Sequence, residues 1–498
     1  MSPAGTGRRR PSPTRRWDDR TVAALFVASV LAISYGYFSP FGGWNANSRL
    51  SLVFAVLDDG ALSIDAYHDA PLTRTGDKAF YEGRYYSDKA IGTAVLGLVA
   101  YAPISVGRAV SSPTRYAFTR HWITFFAVGL PVVAALSYLF LVLDRLGLDR
   151  RAALGIALLA GLATPLWPFA TVLFGHALAA AALLAAFLMV MSRRQAQQPW
   201  TPGARVLWGS LLGFAVITEF PVTPVAATLA LYYLFAAQER RELTRVRTWL
   251  LPAVGALPLL SLQLAYNALC FGSPFSLGYG HIADPDFRSM HAKGLLGVGL
   301  PSLEVLYYIT LHPIRGLMFH SPVLLAGLAG LLLGVRQARW RAEAITCLVA
   351  VTIVLLINAG YGVWWGGFSF TARHAIPAVP FLLIGLTFLP RRTWPLIAVL
   401  AVVSLAQMLI AVVGGPRTSD TELIRRLGAP DGSVATLGSP LWSQIWPALL
   451  DDPSQFASNI GRRLGFVGFA SLIPYGLVMA AWAGAYAWLR RAPRVTAP

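Results

Sequence analysis

The sequence predicts an all-α polytopic membrane protein with about 12 transmembrane helices, in a range of about 11 to 13. Of the 498 residues, 56% are hydrophobic and 13% are charged, whereas soluble domains carry roughly 25% charged residues. The mean hydropathy is +0.56. Apolar segments of membrane-spanning length also recur along the chain. Together these observations exclude a disordered chain, a secreted disulfide scaffold and an ordinary cytosolic enzyme.

The first predicted element is a basic tail, residues 1–20, which is rich in arginine. The apolar run from Thr21 to Pro40 that follows it has about twenty residues, enough to cross a bilayer. It is longer than the apolar region of a cleavable signal peptide. We therefore expect an uncleaved first span with a cytoplasmic N-terminus, and a single polytopic membrane domain over residues 21–490.

Further apolar segments follow the first span and complete the predicted twelve. These segments are residues 121–143, 152–172, 174–192, 205–219, 221–237, 248–270, 318–335, 342–360, 375–390, 395–414 and 466–489.

The apolar segment 92–110 decides the topology, since counting it as a span would give thirteen. If it enters the membrane without crossing, the arginine-rich linkers and the tail 491–498 all lie in the cytoplasm, as the positive-inside rule requires. Nearly all of the net charge of +18 then reports orientation, so we expect no nucleic-acid partner. Three large regions remain outside the cytoplasm: residues 41–120, 271–317 and 415–465.

The first outer loop carries the densest chemistry. Helical spacing from Asn47 to Val56 predicts an amphipathic helix on the membrane surface. Asp65 is the first candidate for a catalytic base, because the apolar stretch before it would hold it near the bilayer and raise its pKa. The other candidates are Asp58, Asp59 and Asp88, and each alone is more often a solvated loop carboxylate.

Lys89 enters the 92–110 segment directly after Tyr85 and Tyr86, at the predicted membrane interface. A lysine in this position is suited to hold a lipid phosphate as a point charge. The two tyrosines and His68 are candidates for substrate contacts. The structural alternative is that interfacial Lys and Tyr anchor the segment.

These motifs resemble the GT-C superfamily of polytopic glycosyltransferases, in the branch of protein O-mannosyltransferases and lipid A aminoarabinose transferases. The run Ser87–Gly92 stands where that branch has a KPPL-like motif. The run Arg373–Pro380 is similar to its RYLLPALP-like run, and Thr218–Pro221 resembles a mid-chain element of the outer face. The resemblance also covers the general layout of a first span followed by a long outer loop with surface helices.

This resemblance implies an inverting transfer of a sugar from a polyprenyl-phosphate donor to an envelope acceptor outside the cytoplasm. The acceptor would be a glycan, a lipid or a protein. One departure is that the family's acidic pair after the first span aligns near Asn45–Ser48, where this chain has amides. Either the base has moved to another loop carboxylate, or the protein is not a transferase.

Later segments contribute further candidates. Arg373 and His374 stand at the outer end of a span, where a guanidinium can bind phosphate with two parallel hydrogen bonds. Glu219 lies between two apolar segments, and charged groups at such depth tend to face a protein cavity. Trp365 belongs to a glycine- and aromatic-rich run that could stack on a sugar. A helix-end arginine, a helix cap and an ordinary aromatic belt are the structural alternatives.

Two other functions stay open: a transporter or flippase for a lipid-linked or anionic solute, and a non-catalytic GT-C relative. A transporter would carry its ionisable residues near mid-membrane in broken spans, whereas here they gather in outer loops. With two cysteines and no HxxxH or HxH spacing, we expect no metal ligands and no cofactor, and a divalent metal stays an alternative. The expected location is the cell membrane, with both termini cytoplasmic.

Overall fold

The computed structural model describes residues 19–291, 294–295, 297–427 and 434–491, which fold predominantly as helices. Of the predicted tails, residues 1–18 and 492–498 lie outside the described residues. The N-terminal part builds one wall of the site. Its elements are α1 Asp19–Tyr37, α2 Gly43–Asp58, β1 Ala79–Tyr81, β2 Arg84–Tyr86, α3 Gly92–Tyr101, α4 Pro113–Thr124 and α5 Leu130–Arg145.

Helix α2 is present where the sequence predicts a helix, but it does not lie on a surface. Its polar residues are buried as well as its apolar ones. They are buried because they have partners: Asn47 Oδ1 accepts a hydrogen bond from the Tyr116 hydroxyl at 2.8 Å, and the Ser48 and Ser87 hydroxyls are 2.9 Å apart. Burial of paired polar groups costs far less than burial of unpaired ones.

Strands β1 and β2 form an antiparallel hairpin in which Phe80 faces Tyr85. The two turn residues, Glu82 and Gly83, have φ values of 47° and 79°, as the tight hairpin turns that match the strand twist require. An antiparallel pair brings the residue before its first strand close to the residues after its second. The hairpin therefore brings Asp77 to the side of the segment that carries Lys89.

The middle of the chain is a helical bundle in which α9 and α11 pack closely. A Cβ on Gly209 would lie 1.9 Å from the Pro252 carbonyl oxygen, and one on Gly255 would lie 2.0 Å from that of Val206. Small residues allow such backbone contact between membrane helices. The bounds are α6 Arg150–Leu162, α7 Leu166–Ala170, α8 Gly175–Gln195, α9 Pro202–Thr218, α10 Thr223–Glu239 and α11 Val246–Phe271.

The C-terminal half contains long apolar helices and short helices. The bounds are α12 Pro285–His291, α13 Leu303–Thr310, α14 Leu317–His320, α15 Val323–Arg336, α16 Arg341–Gly360, α17 Val379–Ile384, α18 Trp394–Gly414, α19 Thr421–Leu427, α20 Trp446–Asp451, α21 Ile460–Arg463 and α22 Ile473–Arg491.

Within the described ranges, eight helical segments are long and apolar enough to cross a membrane. They are residues 19–37, 113–145, 175–195, 220–239, 246–271, 341–360, 391–414 and 468–489. The other predicted spans coincide with shorter helices, so the count of twelve stays a prediction. Helix α3 has 10 residues and, at 1.5 Å each, covers about 15 Å, or half of the hydrocarbon layer. This length agrees with a 92–110 segment that does not cross.

One end of the bundle, which we call the basic end, is held by buried ion pairs. Glu343 at the start of α16 accepts hydrogen bonds from Arg194 at 2.8 Å, from Gln195 at 2.9 Å and from the Tyr232 hydroxyl at 2.8 Å. Its side chain is fully buried. These contacts connect α8, α10 and α16. The opposite ends of α8 and α9 meet at the site described below.

We expect Gly255→Ala to lower the melting temperature, because a methyl group there meets the backbone of α9 and overpacking costs roughly 1–3 kcal/mol. The matched control is Gly155→Ala on α6, where a Cβ would meet nothing within 4 Å and a gain of about 0.5–1 kcal/mol is expected. Thermal unfolding of both variants in detergent checks this, and equal melting temperatures would contradict the close helix contact.

Candidate active site

Residues from all three predicted outer regions meet at one cavity of about 300 Å³. Its walls come from the α1–α2 connection, the hairpin flanks, the meeting ends of α8 and α9, residues 279–291, residues 361–374 and residues 417–424. We call it the main cavity. A concave pocket with a few convergent charged groups is the usual form of a ligand site.

Lys89 is the centre of a buried charge cluster on one side of this cavity. Its Nζ lies 2.8 Å from Asp88 Oδ2 and 3.0 Å from Asp77 Oδ2. The Asp88 side chain is fully buried behind the lysine, whereas the Asp77 side chain is 16% exposed and lines the cavity. Ser48 Oγ donates to Asp88 Oδ1 at 3.3 Å. Only Asp77 can thus present a carboxylate to a ligand from this cluster.

The two carboxylates of the cluster differ in their ionisation. Burial raises the pKa of Asp77, but the charge and hydrogen bond of Lys89 outweigh it, so that its pKa lies below the ordinary value. Burial raises the pKa of Asp88, and Lys89 offsets this only in part. Burial lowers the pKa of Lys89, but both carboxylates outweigh it and the pKa is raised. A charged Lys89 beside a charged Asp77 is the favoured state.

Glu219 follows α9 and also lines the cavity. Its Oε1 lies 3.3 Å from Arg49 Nη2 and 3.3 Å from His176 Nδ1. Arg49 Nε and His176 Nε2 are both buried without a hydrogen-bond partner within the described structure. The sequence-based expectation that Glu219 faces a cavity agrees with this position.

Arg373 is a cation that no described carboxylate pairs with. Its guanidinium lies 5.0 Å from the centre of the Phe174 ring, and its buried Nε has no hydrogen-bond partner. The backbone of Gly366, at φ 78°, passes so close that a Cβ there would lie 2.9 Å from Arg373 Cγ. A half-buried, unpaired guanidinium that lines a cavity provides a site for an anion.

Aromatic and imidazole rings complete the wall beside Arg373. The His374 ring contacts those of Tyr361 and His176 edge-to-face, at 5.1 and 5.0 Å. The Tyr361 hydroxyl lies 2.6 Å from His291 Nε2. Because His291 Nδ1 lies 2.8 Å from the Phe287 carbonyl, Nδ1 carries the proton and the tyrosine donates to Nε2. Such flat faces suit stacking on a sugar ring.

The structure brings Lys89, Arg373, His374, Glu219 and Trp365 to the main cavity. It places the other sequence candidates elsewhere. The first-ranked one, Asp65, is exposed and accepts a hydrogen bond from the Tyr85 backbone NH at 2.7 Å.

Five of the remaining candidates make structural contacts away from the cavity. Asp58 accepts from the Tyr101 hydroxyl at 2.9 Å, and Asp59 pairs with Arg108. His68 Nδ1 accepts from Lys78 at 2.7 Å, and the His68 ring lies 4.0 Å from that of Tyr85. The Tyr86 ring contacts Phe271.

Sequence reasoning missed Asp77, Arg49, Arg417 and Asp420, which all line the cavity. In the sequence, Asp77 is only one of several carboxylates in the first outer loop. The signal that could have found it is the hairpin, since Asp77 and Lys89 stand on either side of a strand–turn–strand pattern. Among the described residues there is no group of three or more His, Cys, Asp or Glu side chains that could hold a metal ion.

No protein-family model and no curated protein matches the sequence. Three solved structures share part of its arrangement. They are ArnT from Cupriavidus metallidurans bound to undecaprenyl phosphate (17% identity, TM-score 0.45, covering 78% of this chain and 65% of that one), the same protein in the apo state (15%, 0.47, 94% and 72%), and the oligosaccharyltransferase AglB from Archaeoglobus fulgidus with an inhibitory peptide and a dolichol-phosphate (14%, 0.42, 83% and 58%).

The chain spans less than two thirds of the length of the undecaprenyl-phosphate-bound ArnT structure and of AglB. At these identities a likeness describes the arrangement of the chain and not its chemistry.

We expect Lys89→Met to destabilise the protein by roughly 3–5 kcal/mol, because it leaves buried carboxylate charge uncompensated. The double variant Lys89→Met/Asp88→Asn should recover part of this loss, since it removes one of the two stranded charges. Chemical unfolding of the wild type and of the single and double variants measures both effects. Purely additive destabilisation would contradict the coupling of Lys89 with Asp88.

Proposed function

We propose that this protein is an integral membrane glycosyltransferase of GT-C type. It transfers a sugar, with inversion, from a polyprenyl-phosphate donor to an envelope acceptor. The observation that carries this proposal is the composition of the main cavity. An ionised carboxylate, Asp77, and an unpaired cation, Arg373, line the same 300 Å³ space, with Lys89 at its wall.

Inverting transfer needs one ionised carboxylate beside the acceptor hydroxyl. In this proposal Asp77 accepts the hydroxyl proton as the hydroxyl oxygen attacks the anomeric carbon of the donor. Asp77 takes the role that the sequence suggested for Asp65, because it is the carboxylate of the Lys89 cluster that reaches the cavity. Asp88 keeps Lys89 in place from behind.

The bond from the anomeric carbon to the donor phosphate breaks as the sugar leaves, so negative charge grows on the phosphate oxygen. Arg373 and Lys89 are the groups that stabilise this charge, and preorganised cations act most strongly where water is excluded. His374 and Tyr361 form the adjoining wall against which the sugar packs. Glu219, held by Arg49 and His176, is suited to accept a hydrogen bond from a sugar hydroxyl.

The position of the cavity supports action outside the cytoplasm of the cell membrane. The arginine-rich linkers gather at the basic end of the bundle, and the cavity lies where α8 begins and α9 ends. By the positive-inside rule the cavity end is the extracytoplasmic one.

Asp77→Asn should lower turnover by about 10²–10⁴-fold, the usual contribution of a general base, and leave donor binding intact. The measurement is release of polyprenyl phosphate from a polyprenyl-phosphate sugar in reconstituted membranes. Asp65→Asn is the matched control, since its amide oxygen can still accept from Tyr85, and we expect wild-type turnover. If turnover falls in Asp65→Asn and stays at the wild-type level in Asp77→Asn, Asp65 is the general base.

Arg373→Gln should weaken donor binding by about 10- to 100-fold, because a hydrogen bond to a charged group contributes roughly 1.5–3 kcal/mol. Titration of the purified protein with polyprenyl phosphate measures the affinity. Arg84→Gln, an exposed change on the hairpin, is the control. Unchanged affinity in Arg373→Gln would show that the donor phosphate does not bind at Arg373.

Flipping of the lipid-linked sugar across the membrane without sugar transfer would favour a transporter instead.

A further inference from the structure

A second pocket, of about 280 Å³, adjoins the main cavity. Its walls are residues 39–41 between α1 and α2, Arg120 of α4, residues 414–417 after α18, and residues 457–458. Arg417 lines both spaces. We call the second one the arginine pocket.

The charge of this pocket has one sign. Arg120 and Arg417 line it, and no acidic side chain of the described residues does so. The carboxylates that act on Arg417, Asp77 and Asp420, line the main cavity, and Arg463 adds positive charge near Arg120. A concave, partly desolvated site lined by one sign of charge concentrates counter-ions.

The two guanidiniums share one aromatic ring. The guanidinium carbons of Arg120 and Arg417 each lie 5.5 Å from the centre of the Phe41 ring. A cation over a ring gains a modest attraction, so Phe41 helps to hold both guanidiniums beside the pocket. Phe41 also lines the pocket, so an anion there would lie near both positive charges.

Arg120 also has one hydrogen-bond donor that is unsatisfied within the described structure. The residue is 8% exposed, and its Nη1 and Nη2 donate to the carbonyl oxygens of Pro40 and Ser39 at 3.2 and 3.1 Å. Its Nε is buried and has no partner within the described structure. An unsatisfied buried donor is unfavourable, so an oxyanion that reaches this nitrogen would be favoured.

The backbone makes room for Arg417 at this place. Gly43 has φ 68°, and a Cβ on it would lie 2.6 Å from the guanidinium carbon of Arg417. A residue with a side chain would be strained there and would displace the arginine. The chain thus brings an unpaired cation against a backbone turn.

We propose that the arginine pocket is a second oxyanion subsite, which binds a phosphate group carried by the acceptor while the main cavity holds the donor phosphate. The assignment to the acceptor rests on the proposed function. The binding of an oxyanion by Arg120 and Arg417 does not. The phosphate belongs either to a membrane-lipid headgroup or to a soluble molecule.

The test uses the full-length protein in uncharged detergent, in an Arg373→Gln background that weakens the main cavity as a phosphate site. Calorimetric titrations with inorganic phosphate and, separately, with phosphatidic acid in micelles measure binding. We expect at least one probe to bind, and Arg120→Gln or Arg417→Gln to lower that affinity by at least about tenfold. The matched control in the same background is Arg288→Gln, an exposed arginine of the second outer region.

Binding of both probes supports a solvent-accessible subsite, and binding of phosphatidic acid alone supports a lipid source. Absence of binding by either probe, or equal affinities in the arginine variants and in Arg288→Gln, would overturn the proposal. Should Arg120→Gln fail to fold, Arg120→Lys and Arg417→Gln carry the test. The two proposals can fail separately. If Asp77→Asn and Arg373→Gln leave sugar transfer unchanged while Arg120→Gln and Arg417→Gln lower phosphate affinity, the proposed function fails and the subsite stands.

Discussion

The site depends on one interaction, the retention of a charged lysine in a buried place. Lys89 lies between Asp88 behind it and Asp77 in front of it, at 2.8 and 3.0 Å. A lone buried ammonium would lose its proton, and a lone buried carboxylate would gain one. Lys89 and Asp77 keep each other charged, and Asp88 holds the lysine from behind. They also fix the hairpin against α2, because Asp88 accepts from Ser48.

The sequence predicts the fold class well, and it predicts part of the lining of the main cavity. Long apolar runs and the scarcity of charge indicate a polytopic helical protein, and the positions of the arginines predict an outer location for the site. Lys89 and Arg373, which are both predicted from short motifs, line the same cavity. These properties depend on local composition, which a single sequence displays directly.

The choice among carboxylates could not be made from the sequence, because it depends on pairing between distant segments. Asp65 and Asp77 stand in the same loop with similar neighbours. The hairpin turn brings Asp77 to Lys89, whereas a backbone hydrogen bond from Tyr85 holds Asp65 at the surface. Likewise, the burial of α2 requires Tyr116 and Ser87 as partners of its polar residues. Helical periodicity alone contains no information about such partners.

The buried Glu343 at the basic end has a consequence for how the protein admits its ligands. It connects α8, α10 and α16 far from the main cavity, and separating these helices there would expose a carboxylate and an arginine to hydrocarbon. Large rearrangements of the bundle are therefore unfavourable. Any opening of the main cavity therefore has to involve the chain at the opposite end of the bundle, while the helices at the basic end stay together.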